Sequence, residues 1–262
     1  RTLGESLTAT NSSVRFVVGL VDKLAGVPFE EDKKPPLELL EVEALGIPNF
    51  AWMTVHYDIT ELNTAVKPYF IQFFLNQYPE VENVIYFDPD IIVFQPLEHL
   101  LENLQRHAII VTPHITVPHV DDLSTNENDH LNTGTYNLGF IALRRSPETF
   151  RFVAWWCKKL ASECFNDVCE GLFTDQKWIN LVPIYWPGTK IEKHPGYNVA
   201  YWNLHERRLS QLAGFHLVNE VHPLQFFHFS GYGLNRPDEI SKYQNRHTFG
   251  NRPDVLPLFR YY

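Results

Sequence analysis

The stretch Val84-Ile85-Tyr86-Phe87-Asp88-Pro89-Asp90-Ile91-Ile92-Val93-Phe94 places two β-prone apolar runs on either side of two carboxylates one residue apart. Short apolar runs bounded by turn residues read as buried strands. The proline between the acids lacks an N–H, so it suits a strand end and not a ladder interior. Asp88 and Asp90 are therefore expected at the edge of the core, where one strand stops and the next begins.

Upstream, Leu3 and Leu7 suggest the end of a helix, followed by a β-rich run at 14–21. A Leu/Glu-rich helix is expected over 37–44 and a strand over 50–55. Asn63 or Thr64 can cap a helix whose apolar positions Val66, Phe70, Phe73 and Phe74 recur at helical spacing, with Pro68 in its first turn. Downstream, Pro96 opens a helix carrying Leu97, Leu100, Leu101 and Leu104, and strands are expected at 108–111 and 138–143. A polar loop of about 113 to 135 separates them. It holds His114, His119 and His130, and its length suggests a lid or acceptor-binding segment; a second metal site is the rival reading. Ser146-Pro147-Glu148 starts a helix with Phe150, Val153, Cys157 and Leu160 inward, and Thr174 can cap another containing Asp175, Gln176, Ile179 and Leu181. Strands at 184–186, 199–202 and 226–229 complete the alternation. Such alternation predicts an α/β fold with a mixed, mostly parallel sheet flanked by helices. With no repeat and no Gly/Ser linker, 1–262 reads as one domain.

The chain has 262 residues, 44% hydrophobic, 14% aromatic and 20% charged, which excludes disordered, collagen-like and disulfide-scaffold classes. Its 22 Lys+Arg against 31 Asp+Glu give a net charge of −9, contrary to the cationic character of phosphate-backbone binders, so no nucleic-acid partner is expected. No apolar stretch approaches the roughly 18 to 20 residues of a membrane span. Cys157, Cys164 and Cys169 lack C-x-x-C spacing, which suits a reducing compartment and an expected location in the cytoplasm or peripheral at the inner membrane. Met53 is the sole methionine and the chain opens at Arg1, so the N-terminus reads as trimmed or truncated.

Two carboxylates spaced as Asp88 and Asp90 are can meet one hard cation, since Mg²⁺ and Mn²⁺ favour carboxylate oxygens and keep positions for water and phosphate; taken alone, the pair reads first as a polar turn after a buried strand. His228, in Phe226-Phe227-His228-Phe229-Ser230-Gly231, ends an aromatic strand and offers an imidazole ligand, or is a satisfied core histidine. The turn at Gly231 would let a backbone approach a phosphate. Lys67 sits in a helix's first turn, where the dipole disfavours a cation unless an anion or Asp88 and Asp90 offset it. Asp175 and Gln176 offer acceptors and donors suited to sugar hydroxyls, although an acid in a first turn is favourable without function. Asn137 precedes the strand that contains Gly139, and Tyr197, Asn198, Tyr201 and Trp202 combine aromatic and amide groups as carbohydrate sites and ordinary cores both do.

VIYFDPDIIVF at 84–94, YNLGF at 136–140, TDQKWIN around Asp175-Gln176 and HFSG around His228 occur in the order found in glycosyltransferase family 8, and the chain resembles these GT-A fold nucleotide-sugar transferases over about 1–245. TAVKP at 64–68, TPH at 112–114, DQKWI at 175–179 and HPGYNVAYWN at 194–203 further resemble bacterial glycosyltransferase-like proteins, a class associated with polysaccharide biosynthesis. The resemblance implies a GT-A-like, metal-dependent hexosyltransferase acting on a nucleotide-sugar donor and a saccharide or lipid-linked acceptor, with retention of configuration. It implies Mn²⁺ (or Mg²⁺) on Asp88, Asp90 and His228, and donor contacts from Lys67, Asn137, Gly139, Asn198 and Gly231. Asp175 and Gln176 would be catalytic, Gln176 near the anomeric carbon. Two departures stand out. Position 234 is Leu where the family carries a phosphate-contacting lysine, leaving Arg236 or Lys242 to substitute, and the family begins with a β-strand ahead of the helix that here starts near Arg1, so a fragment without that strand is the expectation. A haloacid-dehalogenase-like phosphatase usually has Thr or Val where Ile92 stands; a non-catalytic carbohydrate-binding domain is the other alternative.

Overall fold

The structure is a computed structural model that describes residues 1–25 and 38–262. In chain order its helices and strands are α1 (Thr2–Thr10), β1 (Val17–Leu20), β2 (Glu38–Glu41), α2 (Phe50–His56), α3 (Ile59–Ala65), α4 (Lys67–Gln77), β3 (Asn83–Phe87), β4 (Ile91–Val93) and α5 (Glu98–Leu104). There follow β5 (Ile109–Pro113), α6 (Glu127–Thr133), β6 (Tyr136–Arg144), α7 (Pro147–Leu160), α8 (Val182–Tyr185), β7 (Thr189–Ile191), β8 (Leu209–Leu212), β9 (Phe215–Val218), β10 (His222–Pro223), β11 (Phe226–His228) and α9 (Leu256–Tyr261).

The largest sheet runs β3-β6-β5-β7, with β6 buried along nearly its whole length. Successive side chains on a strand face opposite sides, and the core divides accordingly. Ile109, Val111, Ile141 and Leu143 face α4 and α7, packing with Ile71, Leu75, Phe152, Val153, Trp156 and Leu160. Ile110, Phe140 and Ala142 face Leu100 and Leu104 of α5, Leu3 and Leu7 of α1, and Ile91 and Val93 of β4. The β4–β11 pair repeats the alternation: Ile92 and Phe227 turn away into a third cluster with Leu258 and Phe259 of α9.

The sheets are mixed, and the expectation of mostly parallel pairing is corrected. Among the described residues β1–β2 and β5–β7 are the strand pairs that run in parallel, beside a single parallel bridge outside the strands, whereas β3–β6, β5–β6, β4–β11, β8–β9 and β9–β10 are antiparallel. Several local expectations are also corrected. The helix expected over 37–44 is β2 followed by a 3₁₀ turn at Val42–Leu45, residue 37 lying outside the described residues. Residues 50–55 form α2, which turns Met53 fully into the core. The strand expected at 184–186 overlaps α8, with proline in its first turn, and the strand beside it is β7. Residues 199–202 contribute a single bridge, Val199 to Phe227, before a 3₁₀ turn at Tyr201–Asn203. The helix containing Pro68 is α4, capped at Val66; Asn63 and Thr64 belong to α3, whose capping box joins Asp58 and Glu61. The long polar loop contains α6, with a capping box between Asn126 and Asp129.

Candidate active site

β3 delivers Asp88 to the end of the large sheet, where its N–H donates to the Gly139 carbonyl of β6 at 2.8 Å. Asp90 opens β4. Register pairs His228 of β11 with Ile91, and the Phe229 N–H donates to the Asp90 carbonyl at 2.8 Å. These pairings bring together three side chains that the sequence separates by up to 140 positions. His228 Nε2 is 3.0 Å from Asp90 Oδ1 and 3.9 Å from Asp88 Oδ2. Asp88, Asp90 and His228 present ligand atoms within 4.8 Å of one another, a set able to hold a metal ion. Two carboxylates and one imidazole suit a hard or borderline divalent cation. His228 Nδ1 is buried without a hydrogen-bond partner among the described residues, and Gly139 leaves room for the ring. The ring packs perpendicular to Trp202, centroids 5.3 Å apart.

Lys67 enters from the start of α4. Its Nζ lies 3.3 Å from Asp88 Oδ1 and 3.1 Å from Asp175 Oδ2, and it donates to the Leu138 carbonyl at 3.1 Å. Burial lowers the ammonium's pKa, but Asp175 and Asp88 more than offset it and hold the pKa well above its usual value. The two acids thus compensate the helix-dipole penalty anticipated for a cation there. Burial raises Asp175, opposed by Lys67. Asp90 is also raised by burial, but the His228 ring outweighs that and leaves it below the usual carboxylate range. Tyr86, two residues before Asp88 on the same strand face, donates its hydroxyl to Asp88 Oδ1 at 2.5 Å, a contact the sequence reading missed. Burial, then the Asp88 charge, pushes this phenol well above its usual pKa.

Asp175 is not in the first turn of an α-helix. It follows Thr174, whose φ of 43° is strained for a β-branched residue, and precedes a 3₁₀ turn at Lys177–Leu181. Favourable helix-dipole energy therefore does not account for this acid. Gln176 Oε1 accepts from the Leu138 N–H at 3.2 Å, and its Nε2 donates to the Thr133 carbonyl at 3.0 Å. Asn137 Oδ1 accepts from the Gly139 N–H and from Asn198 Nδ2, at 3.1 and 3.0 Å. Asn198 has φ 50° and also donates to Thr112 Oγ1 at 2.8 Å. Asn203, not singled out from sequence, is fully buried and donates to the His114 and Asn198 carbonyls. Lys67, Asn137, Gly139, Asp175, Gln176 and Asn198 thus gather around the Asp88–Asp90–His228 set. Gly231, φ 73°, follows β11 beside Ser241 and Tyr243. Tyr197 belongs mainly to the core: it packs on Phe140 and Phe226 and shares a hydrogen bond with His99.

No family model matches the chain. It is 28% identical over 211 residues to the uncharacterized protein YfnF of Bacillus subtilis (strain 168), covering 80% of this chain and 69% of that protein. It is 24% identical over 179 residues to YfnD of the same organism, also uncharacterized, covering 68% of this chain and 55% of that protein. Among solved structures, it is similar to a glycosyltransferase involved in glycosylating the major capsid of PBCV-1, with a TM-score of 0.42 and 11% identity over 68% of this chain and 74% of that one. It is likewise similar to mouse xyloside xylosyltransferase 1 in its apo form, TM-score 0.41 and 12% identity, over 76% of each chain. Among the described residues no helix is long and apolar enough to cross a membrane.

Proposed function

We propose that the chain is a metal-dependent glycosyltransferase of GT-A-like fold. It would move a hexosyl group from a nucleotide-diphosphate donor to a saccharide or lipid-linked acceptor, with retention of configuration. The observation that carries this reading is Lys67. Its ammonium joins Asp88 of the carboxylate–imidazole set to Asp175, next to Gln176, so a cation, a diphosphate and a sugar have neighbouring partners.

In this reading Asp88, Asp90 and His228 hold Mn²⁺ or Mg²⁺. The chemistry such a cation supplies there is Lewis-acid neutralisation of charge on the departing diphosphate, worth several kcal/mol. Lys67 keeps its proton and a fixed position through its two ion pairs, and Tyr86 fixes the Asp88 carboxylate by its hydroxyl. Gly231 is kept as a donor contact by resemblance alone, because Ser241 and Tyr243 fill the space where its side chain would stand. Asn137 and Asn198 brace each other and the Gly139 strand, orienting the donor sugar with Asp175, and Gln176 lies near the anomeric carbon. Orientation of this kind lowers the barrier by pre-paid entropy. The test is release of a nucleoside diphosphate from a panel of nucleotide sugars with Mn²⁺ and saccharide acceptors. Release with one donor, lost in Asp88→Asn, supports transfer; release of inorganic phosphate or of nothing refutes it.

A further inference from the structure

Besides Asp88, Asp90 and His228, the described residues contain a second concentration of metal-binding side chains. His114 and His130 stack with centroids 4.8 Å apart, His130 and His119 lie 6.3 Å apart, and His119 and His205 4.0 Å apart. Three segments supply these rings: the chain after β5, α6, and the stretch after the 3₁₀ turn at Tyr201–Asn203. Both ring nitrogens of His119, Nε2 of His130, Nδ1 of His205 and Nδ1 of His114 are buried without a hydrogen-bond partner among the described residues. Leaving a buried polar group unpaired costs about 1 to 3 kcal/mol, and several in one place call for a bound species. Elsewhere His99 pairs with the Tyr197 hydroxyl and His194 accepts from the Gly196 N–H, whereas His228 Nδ1 and His247 Nε2 are each an isolated unpartnered atom among the described residues.

We propose that His119 and His205, with His130 beside them, form a second metal site, imidazole-only in its protein ligands and suited to a borderline divalent transition ion such as Zn²⁺. His205 Nε2 lies 2.8 Å from the Val117 carbonyl, which as an acceptor fixes the ring proton on Nε2 and leaves the Nδ1 lone pair free. A backbone partner of this kind orients metal-ligating histidines. The backbone around the rings is held: Glu127 accepts from the His119 N–H, Glu206 from the Thr116 N–H and hydroxyl, and Arg246 grips Asp121. Among the described residues only Asp88, Asp90 and His228 already hold three ligand atoms within 4.8 Å, so the imidazole site closes by turning the His119 ring, which lies tilted at 46° against His205. That rotation breaks no hydrogen bond, because neither ring nitrogen has one. The all-nitrogen donor set distinguishes the site from the oxygen-rich one.

The experiment is calorimetric titration of the full chain with Zn²⁺, repeated on Asp88→Asn/Asp90→Asn, His119→Ala and His205→Ala. The carboxylate double variant should still bind one Zn²⁺. His119→Ala, which removes no hydrogen bond, should leave the melting temperature near that of the parent and weaken this binding at least tenfold. Loss of all Zn²⁺ uptake in the carboxylate variant, or unchanged affinity in both histidine variants, overturns the proposal. X-ray absorption on the unaltered chain with one equivalent of Zn²⁺ supplies a readout independent of variant folding. Two or more imidazoles per zinc are expected, and a single imidazole among oxygens would place the ion on Asp88, Asp90 and His228 instead. None of these readouts depends on glycosyl transfer.

Discussion

A Cβ on Gly139 would stand 2.3 Å from Cε1 and 2.7 Å from Nδ1 of His228, so the smallest residue of β6 lies where the imidazole needs space. Overpacking of this kind costs about 1 to 3 kcal/mol and forces a side chain from its position. In Gly139→Ala the ring that moves is the one beside Asp90. Mn²⁺ affinity, read by electron paramagnetic resonance of the free ion, should fall at least tenfold while secondary structure by circular dichroism is retained. Unchanged affinity would mean that the ring's position is immaterial to the cation.

Lys67 is the positive charge that two buried or half-buried acids share. Removing one partner from a buried ion pair typically destabilises by about 3 to 5 kcal/mol, because the remaining charge loses its compensation. Lys67→Met, close in volume, should lower unfolding free energy in urea by about that amount. A loss below about 1 kcal/mol would show the Asp88 and Asp175 carboxylates to be compensated by water or by protonation.

How much of this centre was legible follows from where its information lies. Asp88 and Asp90 could be placed at a core edge because apolar runs flank them on both sides, and His228 because its aromatic run ends there. Pairing of β4 with β11 is a tertiary fact that no local pattern contains, so the convergence rested on resemblance. The β8–β9 hairpin was missed although Leu209-Ser-Gln-Leu and Phe215-His-Leu-Val are joined by only two residues: Ala213 and Gly214 both adopt positive φ, 51° and 85°, as a type I′ turn requires. Alanine rarely accepts that conformation, which hid the turn. Asp175 illustrates the opposite error, since Thr174 is a good helix cap by chemistry and instead takes a left-handed conformation that ends in a 3₁₀ turn. His205 was overlooked because its neighbours His119 and His130 lie more than 70 positions away.

Acid should unfold the chain through its buried imidazoles. The folded pKa of His130 is about 4 against an ordinary 6.5, chiefly because burial disfavours the charged ring. Between these values the unfolded state binds a proton that the folded state does not, so stability is fully present above pH 6.5 and is lost as pH falls towards 4. The depression corresponds to about 3 kcal/mol for this residue; His114 and His247, the latter at about 3, act in the same direction. Urea midpoints should fall steadily from pH 6.5 to 4, and His130→Gln should flatten the slope. A parent chain equally stable at both ends of this window would contradict the burial argument.

Asp175 and Gln176 each have structural work, and the proposed transfer asks more of them. Asp175 pairs with Lys67, and Gln176 bonds the Leu138 N–H and the Thr133 carbonyl. If that were all, Asp175→Asn and Gln176→Ala would reduce stability and leave the turnover of the folded fraction nearly intact. Contact with the donor sugar predicts that, at a temperature where both variants are fully folded and bind Mn²⁺, turnover falls at least about tenfold, equivalent to roughly 1.4 kcal/mol of transition-state stabilisation. Melting temperature, Mn²⁺ affinity and donor turnover measured on the same preparations separate the two. Unaltered turnover in Gln176→Ala would confine that carboxamide to holding β6 against the 133–134 backbone, and the sugar contacts would then have to come from Asn137 and Asn198.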